Sequence, residues 1–330
     1  MRSEHTWTYY VTGMKRFIFF AISIAMFASL DAADKPKTPT YLRPEEAGPD
    51  FADQGEYTNE WGGAQVIALG DAKFRLVIYR GGLPGAGWDK EYKREIEGQR
   101  QGNKIVFPQN EGMSHEIAKG VITTKTDNGE EYQMKKITRN SPTLEARPPA
   151  NAIVLFSSGN TDEWVNGHSD ERDLLAAPTK SKRSFTNFTA HIEFLLPFKP
   201  FDRGQDRANS GIYLQDRYEL QILDSFGLKG ENNECGGIYS KVKPVVNMCY
   251  PPLTWQTYDI DFETAKFDAQ GKKTKNAVAT IRHNGVIIHD RLELTGPTPG
   301  GKTESPAGGA LQLQGHGNPV FFRNIWVVEK

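Results

Sequence analysis

Residues able to do chemistry are densest between Asn209 and Asp224, where carboxylates, amides and an arginine interleave with apolar side chains. Over 217–222 the order is Arg-Tyr-Glu-Leu-Gln-Ile. The two-residue period of a strand puts Arg217, Glu219 and Gln221 on one face and Tyr218, Leu220 and Ile222 on the other. Three successive polar side chains on one face imply a wet, open surface above a core. Asp224 is out of phase by one residue. A bulge near Leu223 would return it to the Glu219 side, leaving two carboxylates flanking Gln221. Such a pair can divide the work of general acid and base. The competing arrangement pairs Glu219 with Arg217 or Arg207 and leaves Asp224 to end the strand.

Other reactive types are sparser. The seven histidines include no His-Glu-x-x-His and no close pair at ligand spacing. His316, between Gly315 and Gly317, falls on a loop beside a strand end, a better working position than His191 on a strand or His283 beside a turn; a structural role is its rival. Asp170, Glu171 and Asp173 would suit calcium, although a solvated loop is the simpler account. Tyr239 and Trp255 would serve as ligand-stacking platforms or as core. Two cysteines exclude a four-cysteine metal or iron–sulfur site and a disulfide scaffold. Cys235 and Cys249 are a disulfide candidate in an oxidising compartment, with two buried thiols as the alternative. The glycine-rich stretch 81–88 lacks the Gly-Lys-Ser/Thr ending of a phosphate loop, and no helical pattern follows it. The chain shows no dinucleotide-binding fingerprint either.

The elements that must carry these residues are legible in the composition. A chain of 330 residues makes one large domain or two modest ones. Forty Lys and Arg against 41 Asp and Glu give a net charge of -1 and no electrostatic reason to expect nucleic acid. Hydrophobic content of 38% with 25% charged excludes global disorder and a multi-span membrane protein. With 32 Gly, 19 Pro and 11% aromatics, turns are many and helical patterns few, which predicts an all-β protein.

Along the chain, Lys15 and Arg16 precede an apolar run over 17–30, and Ala32 and Ala33 follow. That is the pattern of a secretory signal over 1–33, with Met14 as an alternative start. A single membrane anchor is the rival, but the run is shorter than the ~20 residues of a comfortable span. The expected location is periplasmic or secreted, with no stable membrane span after cleavage. Residues 34–54, with Pro36, Pro39, Pro44 and Pro49, are expected to form an extended linker. A small β-rich domain of open role follows over 55–140, its clearest strand at 73–79 and weaker ones at 116–123 and 131–137. A linker over 141–151 carries Pro142, Pro148 and Pro149. In the longer domain, 152–330, residues 188–196 alternate, Asn284-Gly285 marks a hairpin turn, and apolar residues on both faces of 320–327 predict a strand covered on both sides, as in a sandwich.

Several motifs of this longer domain occur together and in order: Leu155-Phe156 with Trp164, Asn209-Ser210-Gly211-Ile212-Tyr213, Tyr218-Glu219-Leu220-Gln221-Ile222-Leu223-Asp224, and Cys235-Gly236-Gly237-Ile238-Tyr239. Trp255-Gln256-Thr257-Tyr258, Asn284-Gly285, and Gln314-Gly315-His316-Gly317 before Phe322-Arg323-Asn324-Ile325 complete the set. In them the domain resembles the 3-keto-disaccharide hydrolase or 3-keto-glucoside 1,2-lyase/hydratase family, formerly a domain of unknown function. The resemblance implies a concanavalin-like jelly-roll β-sandwich whose concave sheet binds sugars, with Asn209 among the substrate-binding residues. It also implies kinship with glycoside hydrolases that carry a Glu-x-Asp-x-x-Glu strand. Here the middle carboxylate is Gln221 and the last is the shorter Asp224, so double displacement through a glycosyl ester fits poorly.

A 3-keto sugar offers another route, because its ketone acidifies the C2 proton. Removal of that proton and departure of the C1 oxygen complete an elimination; hydration of the product gives net hydrolysis. The resemblance thus implies a carbohydrate-active enzyme with Glu219 as base or acid, Asp224 as its partner or a metal ligand, and Gln221 as an orienting amide. Arg217, His316 or a divalent metal ion would stabilise the enolate. The expected partner is a glycoside or keto-sugar substrate. The alternatives are a non-catalytic carbohydrate-binding module and a conventional glycoside hydrolase.

Overall fold

The structure, a computed structural model, describes residues 38–330. The stretch expected to be a signal over 1–33, with the alternative start at Met14, lies outside the described residues. Among the described residues no helix is long and apolar enough to cross a membrane. The chain is all-β, as its turn-rich composition predicts.

Eight strands between Gly55 and Ile137 pair in sequence order and close into a barrel when Glu56 meets Ile137. Phe74 and Leu76 of the strand Lys73–Arg80 are buried in its core, and Ile78 packs against them. The single strand expected over 116–123 is instead a hairpin. Lys119 and Gly120, at φ 51° and 74°, turn the chain between the strands Met113–Ala118 and Val121–Thr126. The unbroken β-forming composition on either side conceals that two-residue turn.

Residues 38–54 are no extended tether. Pro44–Glu46 form a 3-10 turn and Gly48–Asp53 a short helix. Asp50 and Asp53 accept hydrogen bonds from Arg100 at 2.9 and 2.8 Å, and Tyr41 bridges to Phe198.

The remainder folds as two antiparallel sheets, one of five strands and one of seven. Their inner faces share one apolar core: Tyr218 meets Phe262 with ring centroids 5.8 Å apart, and the Tyr258 hydroxyl donates across to the Gln221 carbonyl at 2.8 Å. Asn284 and Gly285, at φ 50° and 78°, make the expected hairpin turn. Barrel and sandwich are not separate bodies. Ile67, Leu69, Val77 and Tyr79, on the outside of the barrel, belong to the sandwich core.

The segment 141–147 is laid across the seven-stranded sheet as a strap. The Thr143 hydroxyl donates to Asp259 at 2.7 Å, and the Ala146 carbonyl accepts from Asn324 at 3.0 Å. Beneath it His191 and Glu193 are fully buried. His191 Nδ1 lies 2.6 Å from Asp259, and Arg323 donates to Glu193 at 2.8 Å. Burial opposes charge on both groups, but hydrogen bonds prevail: His191 is raised above its ordinary value and Glu193 lowered to about 2.

The fold brings the two cysteines of the disulfide candidate together without a bond between them. Cys235 and Cys249 are free, buried thiols. The two thiols are hydrogen-bonded to each other, with the Tyr258 hydroxyl 3.2 Å from Cys235 and the Leu223 carbonyl 3.5 Å from Cys249.

Candidate active site

The strand Tyr218–Ile222 lies at the end of the five-stranded sheet and pairs with Ser210–Leu214. A two-residue turn joins them, with Gln215 and Asp216 at φ 57° and 59°. Both positions are of the left-handed kind that favours glycine, and side-chain bonds hold them: Gln215 donates to the Phe185 carbonyl at 2.8 Å, and Lys302 to Asp216 at 2.5 Å. The register sets Tyr213 opposite Glu219 and Gly211 opposite Gln221. On the strand's other side, the Glu219 N–H donates to the Thr298 hydroxyl at 2.9 Å and the Gln221 N–H to the Gly237 carbonyl at 2.9 Å.

Above this hairpin is a cavity of about 360 Å³ into which Glu219, Gln221, Asn209, Tyr239 and His316 converge. Glu219 is only 2% exposed. Burial raises its carboxyl to about 7, against the opposing effect of hydrogen bonds from Tyr213 and Gln314. The Tyr213 oxygen lies 2.9 Å from the Glu219 carboxyl and 2.9 Å from the Pro299 carbonyl. A phenol has one proton to donate, and a carbonyl has none. Both bonds are satisfied together only when Glu219 is protonated and donates to Tyr213, which donates to Pro299. Loss of the Glu219 proton turns the phenol back towards the carboxylate. Burial pushes the Tyr213 hydroxyl itself well above its ordinary value, so it keeps its proton. The site therefore holds one proton that it can release or take up near neutrality.

Amides form much of the rest of the wall. Gln221 donates to Gln205 at 3.0 Å and to Asn209 at 3.4 Å. The side-chain oxygens of Gln221 and Gln314 are buried without a partner among the described residues. They are acceptors of the kind that sugar hydroxyls satisfy. Gly211 makes room for the carboxyl, since a Cβ there would stand 2.5 Å from Glu219 Oε1. Gly211→Ala is expected to displace the carboxyl and lower kcat about tenfold or more, with little change in melting temperature because the far end of a flexible side chain yields. Steady-state kinetics beside thermal denaturation check this.

Three residues expected at the site lie elsewhere. Asp224 is not turned into the cavity by a bulge. It accepts from Arg207 Nε at 2.6 Å, in an ion pair whose side chains are 6% and 1% exposed. Arg217 immediately follows the turn and is drawn away from the cavity, donating to Gln215 at 2.8 Å and to Ser305 at 2.7 Å. Trp255 belongs to the seven-stranded sheet, where its ring stacks beneath the Arg323 guanidinium at 4.1 Å. Asp170 and Glu171 are engaged by Arg172 and Arg43.

Among the described residues no group of three or more His, Cys, Asp and Glu side chains is placed to hold a metal ion. The one buried carboxyl at the cavity already has donors, so the divalent metal ion considered from sequence has no fitting ligand set here. The cavity also contains Tyr213, Gln205, Asp206 and Gln314, which the strand pattern alone does not select. Recognising a hairpin turn at 215–216 would have selected Tyr213, because that turn alone sets it opposite Glu219.

A solved structure of a candidate glycosyl hydrolase from Parabacteroides distasonis is similar to this chain at 30% identity, with a TM-score of 0.51, covering 55% of this chain and 85% of that one. Two others of the same description and organism match at 13% and 19% identity with TM-scores of 0.41 and 0.39, too low to carry weight; they cover 55% and 54% of this chain and 94% and 99% of their own. No curated protein matches. The sandwich and its cavity define a carbohydrate-active enzyme of glycoside hydrolase type. The chain belongs to the 3-keto-alpha-glucoside-1,2-lyase-like domain family, whose model matches residues 151–328.

Proposed function

We propose that this chain cleaves 3-keto-glycosides by elimination, acting outside the cytoplasm. The observation that carries the reading is a single buried carboxyl poised near neutrality, Glu219, in a cavity walled by amides. Ionised Glu219 takes the proton from C2. The electron pair left at C2 is delocalised onto the C3 oxygen, where amide N–H groups of Asn209, Gln221 or Gln314 can donate to the enolate. The enolate collapses, C3=O re-forms, a C1=C2 double bond appears and the C1–O bond breaks. The departing oxygen takes a proton from His316 or from water at the exposed mouth. Addition of water across C1=C2, with the hydroxyl at C1 and a proton at C2, completes a net hydrolysis. One base suffices because the ketone supplies the acidity that an ordinary glycoside lacks.

The location outside the cytoplasm rests on the basic residues and apolar run of the amino terminus. The conventional glycosidase reading keeps one supporting observation, since exposed Asp206 borders the cavity and supplies a second carboxylate. Incubation with a 3-keto-glucoside deuterated at C2 separates the two. Elimination predicts that the label is lost to solvent as product forms and that labelled substrate reacts more slowly. Full retention of deuterium, or turnover of unoxidised glycosides, overturns the elimination.

A further inference from the structure

The barrel lumen is packed at one end and open at the other. Val66, Phe74, Leu76, Ile105, Phe107 and Ile117 fill the closed part. The open part is a cavity of about 510 Å³, within the roughly 300–1,000 Å³ of small-molecule sites. Its wall follows from register. Ala64 pairs with Ile78 and Ile78 with Arg94; further round the barrel His115 pairs with Thr124 and Thr124 with Tyr132. These residues keep the inward alternation of the packed ones, but they line the open part of the lumen without filling it. At the mouth large aromatic residues are left in water, Trp61 at 69% exposure and Tyr132 at 45%.

One charged group lines this apolar cup. Arg94 is 9% exposed, and its Nε is buried with no partner among the described residues. Its Nη2 lies 3.0 Å from His115 Nε2. Burial, reinforced by the Arg94 charge, lowers His115 to about 4, so the imidazole is neutral and accepts from Arg94. His115 Nδ1 lies 2.8 Å from the Thr124 hydroxyl, which fixes the ring. Arg94 Nη2 also lies 3.9 Å from the Met113 sulfur, and its Nη1 pairs at 3.0 Å with Glu111, whose side chain is 67% exposed and free to swing into water. A guanidinium that lines the lumen and whose counter-charge is replaceable is built to accept an anion from within it.

We propose that the barrel is a binding cup for a small aromatic molecule carrying one acidic group, the acid on Arg94 and the rings between Trp61 and the apolar wall. An eight-stranded barrel has the width to hold one such ligand. The cup is independent of the sandwich site, and the matched family segment begins after it, at residue 151.

The test is fluorescence titration of the full chain with 1-anilinonaphthalene-8-sulfonate and with its neutral analogue N-phenyl-1-naphthylamine. Both are expected to saturate at one molecule per chain. Arg94→Met should weaken the sulfonate about tenfold or more and the neutral probe less than about twofold. Ile78→Trp, which fills the lumen, should abolish both. If circular dichroism shows that variant unfolded, Trp61→Ala at the exposed rim takes its place and should weaken both probes about threefold or more. No saturable signal, or binding indifferent to the lumen and rim variants, overturns the cup. Equal weakening of the two probes by Arg94→Met overturns its preference for an acid.

Discussion

Replacing Glu219 by glutamine is expected to lower turnover of a 3-keto-glucoside about 100-fold or more while sugar binding survives. Glutamine keeps the shape and still accepts from Tyr213, but it cannot take a proton. The wild-type rate should rise with pH to a plateau, with a midpoint near the Glu219 value of about 7, because the base works only when ionised. A rate that falls through the same range would make Glu219 the acid. Stability supplies an independent reading with the opposite sign. The folded-state value lies above the ordinary 4.5, so folding favours the protonated form, and that contribution is full below 4.5 and lost as pH rises through about 7. Glu219→Gln should remove this part of the pH dependence and be at least as stable as wild type in alkaline buffer. Near-normal turnover in the variant excludes Glu219 as the base.

Loss of Asp224 should act on the fold rather than the chemistry. Asp224→Ala leaves Arg207 as a buried, unpaired charge, at a cost of about 3–5 kcal/mol. For a chain of 330 residues that corresponds to a fall in melting temperature of about 4–7 °C. The double variant Arg207→Met, Asp224→Leu removes both charges and should recover most of the loss. Turnover per folded molecule should change little in either case. An Asp224→Asn variant that keeps wild-type stability and loses rate would return Asp224 to the catalytic machinery. Arg207 also points a guanidinium nitrogen at the Ala68 carbonyl of the barrel, 3.4 Å away, so the damage should reach the contact between barrel and sandwich.

The contrast between Glu219 and Asp224 marks how far the sequence alone reaches. Strand alternation over 217–222 correctly separates Glu219 and Gln221 from Leu220 and Ile222, because the sheet has one dry face and one facing the cavity. Alternation carries no information about where a strand starts or ends. Arg217 and Asp224 flank the strand and follow the turn and the loop instead, and each is captured by an internal partner that sequence distance hides. The Asn284-Gly285 turn is legible because its residue types favour positive φ, whereas Gln215-Asp216 adopts the same conformation through tertiary bonds and leaves no local mark. The closure of the barrel is hidden for a similar reason. Short alternating runs fix each strand's two faces, but that the eighth strand returns to the first depends on stagger and tilt accumulated around the whole sheet. His191 and Glu193 illustrate the remaining gap: a polar strand face normally means water, and here it means a strap supplied by a proline-rich segment about fifty residues earlier.

The core shared by barrel and sandwich has a consequence for the order in which the chain is made. Ile67, Leu69, Val77 and Tyr79 leave the ribosome with the barrel, but the residues that cover them do not. Gly227 packs against Ile67 and Val77, and Tyr250 lies under the barrel's Arg139 at 5.0 Å. At about 5–20 residues per second, the interval between barrel and cover is on the order of ten seconds. A barrel that closes within that interval shows an oily flank with no partner of its own. Such a barrel has a window for mispairing through that flank, which closes when the sandwich covers it.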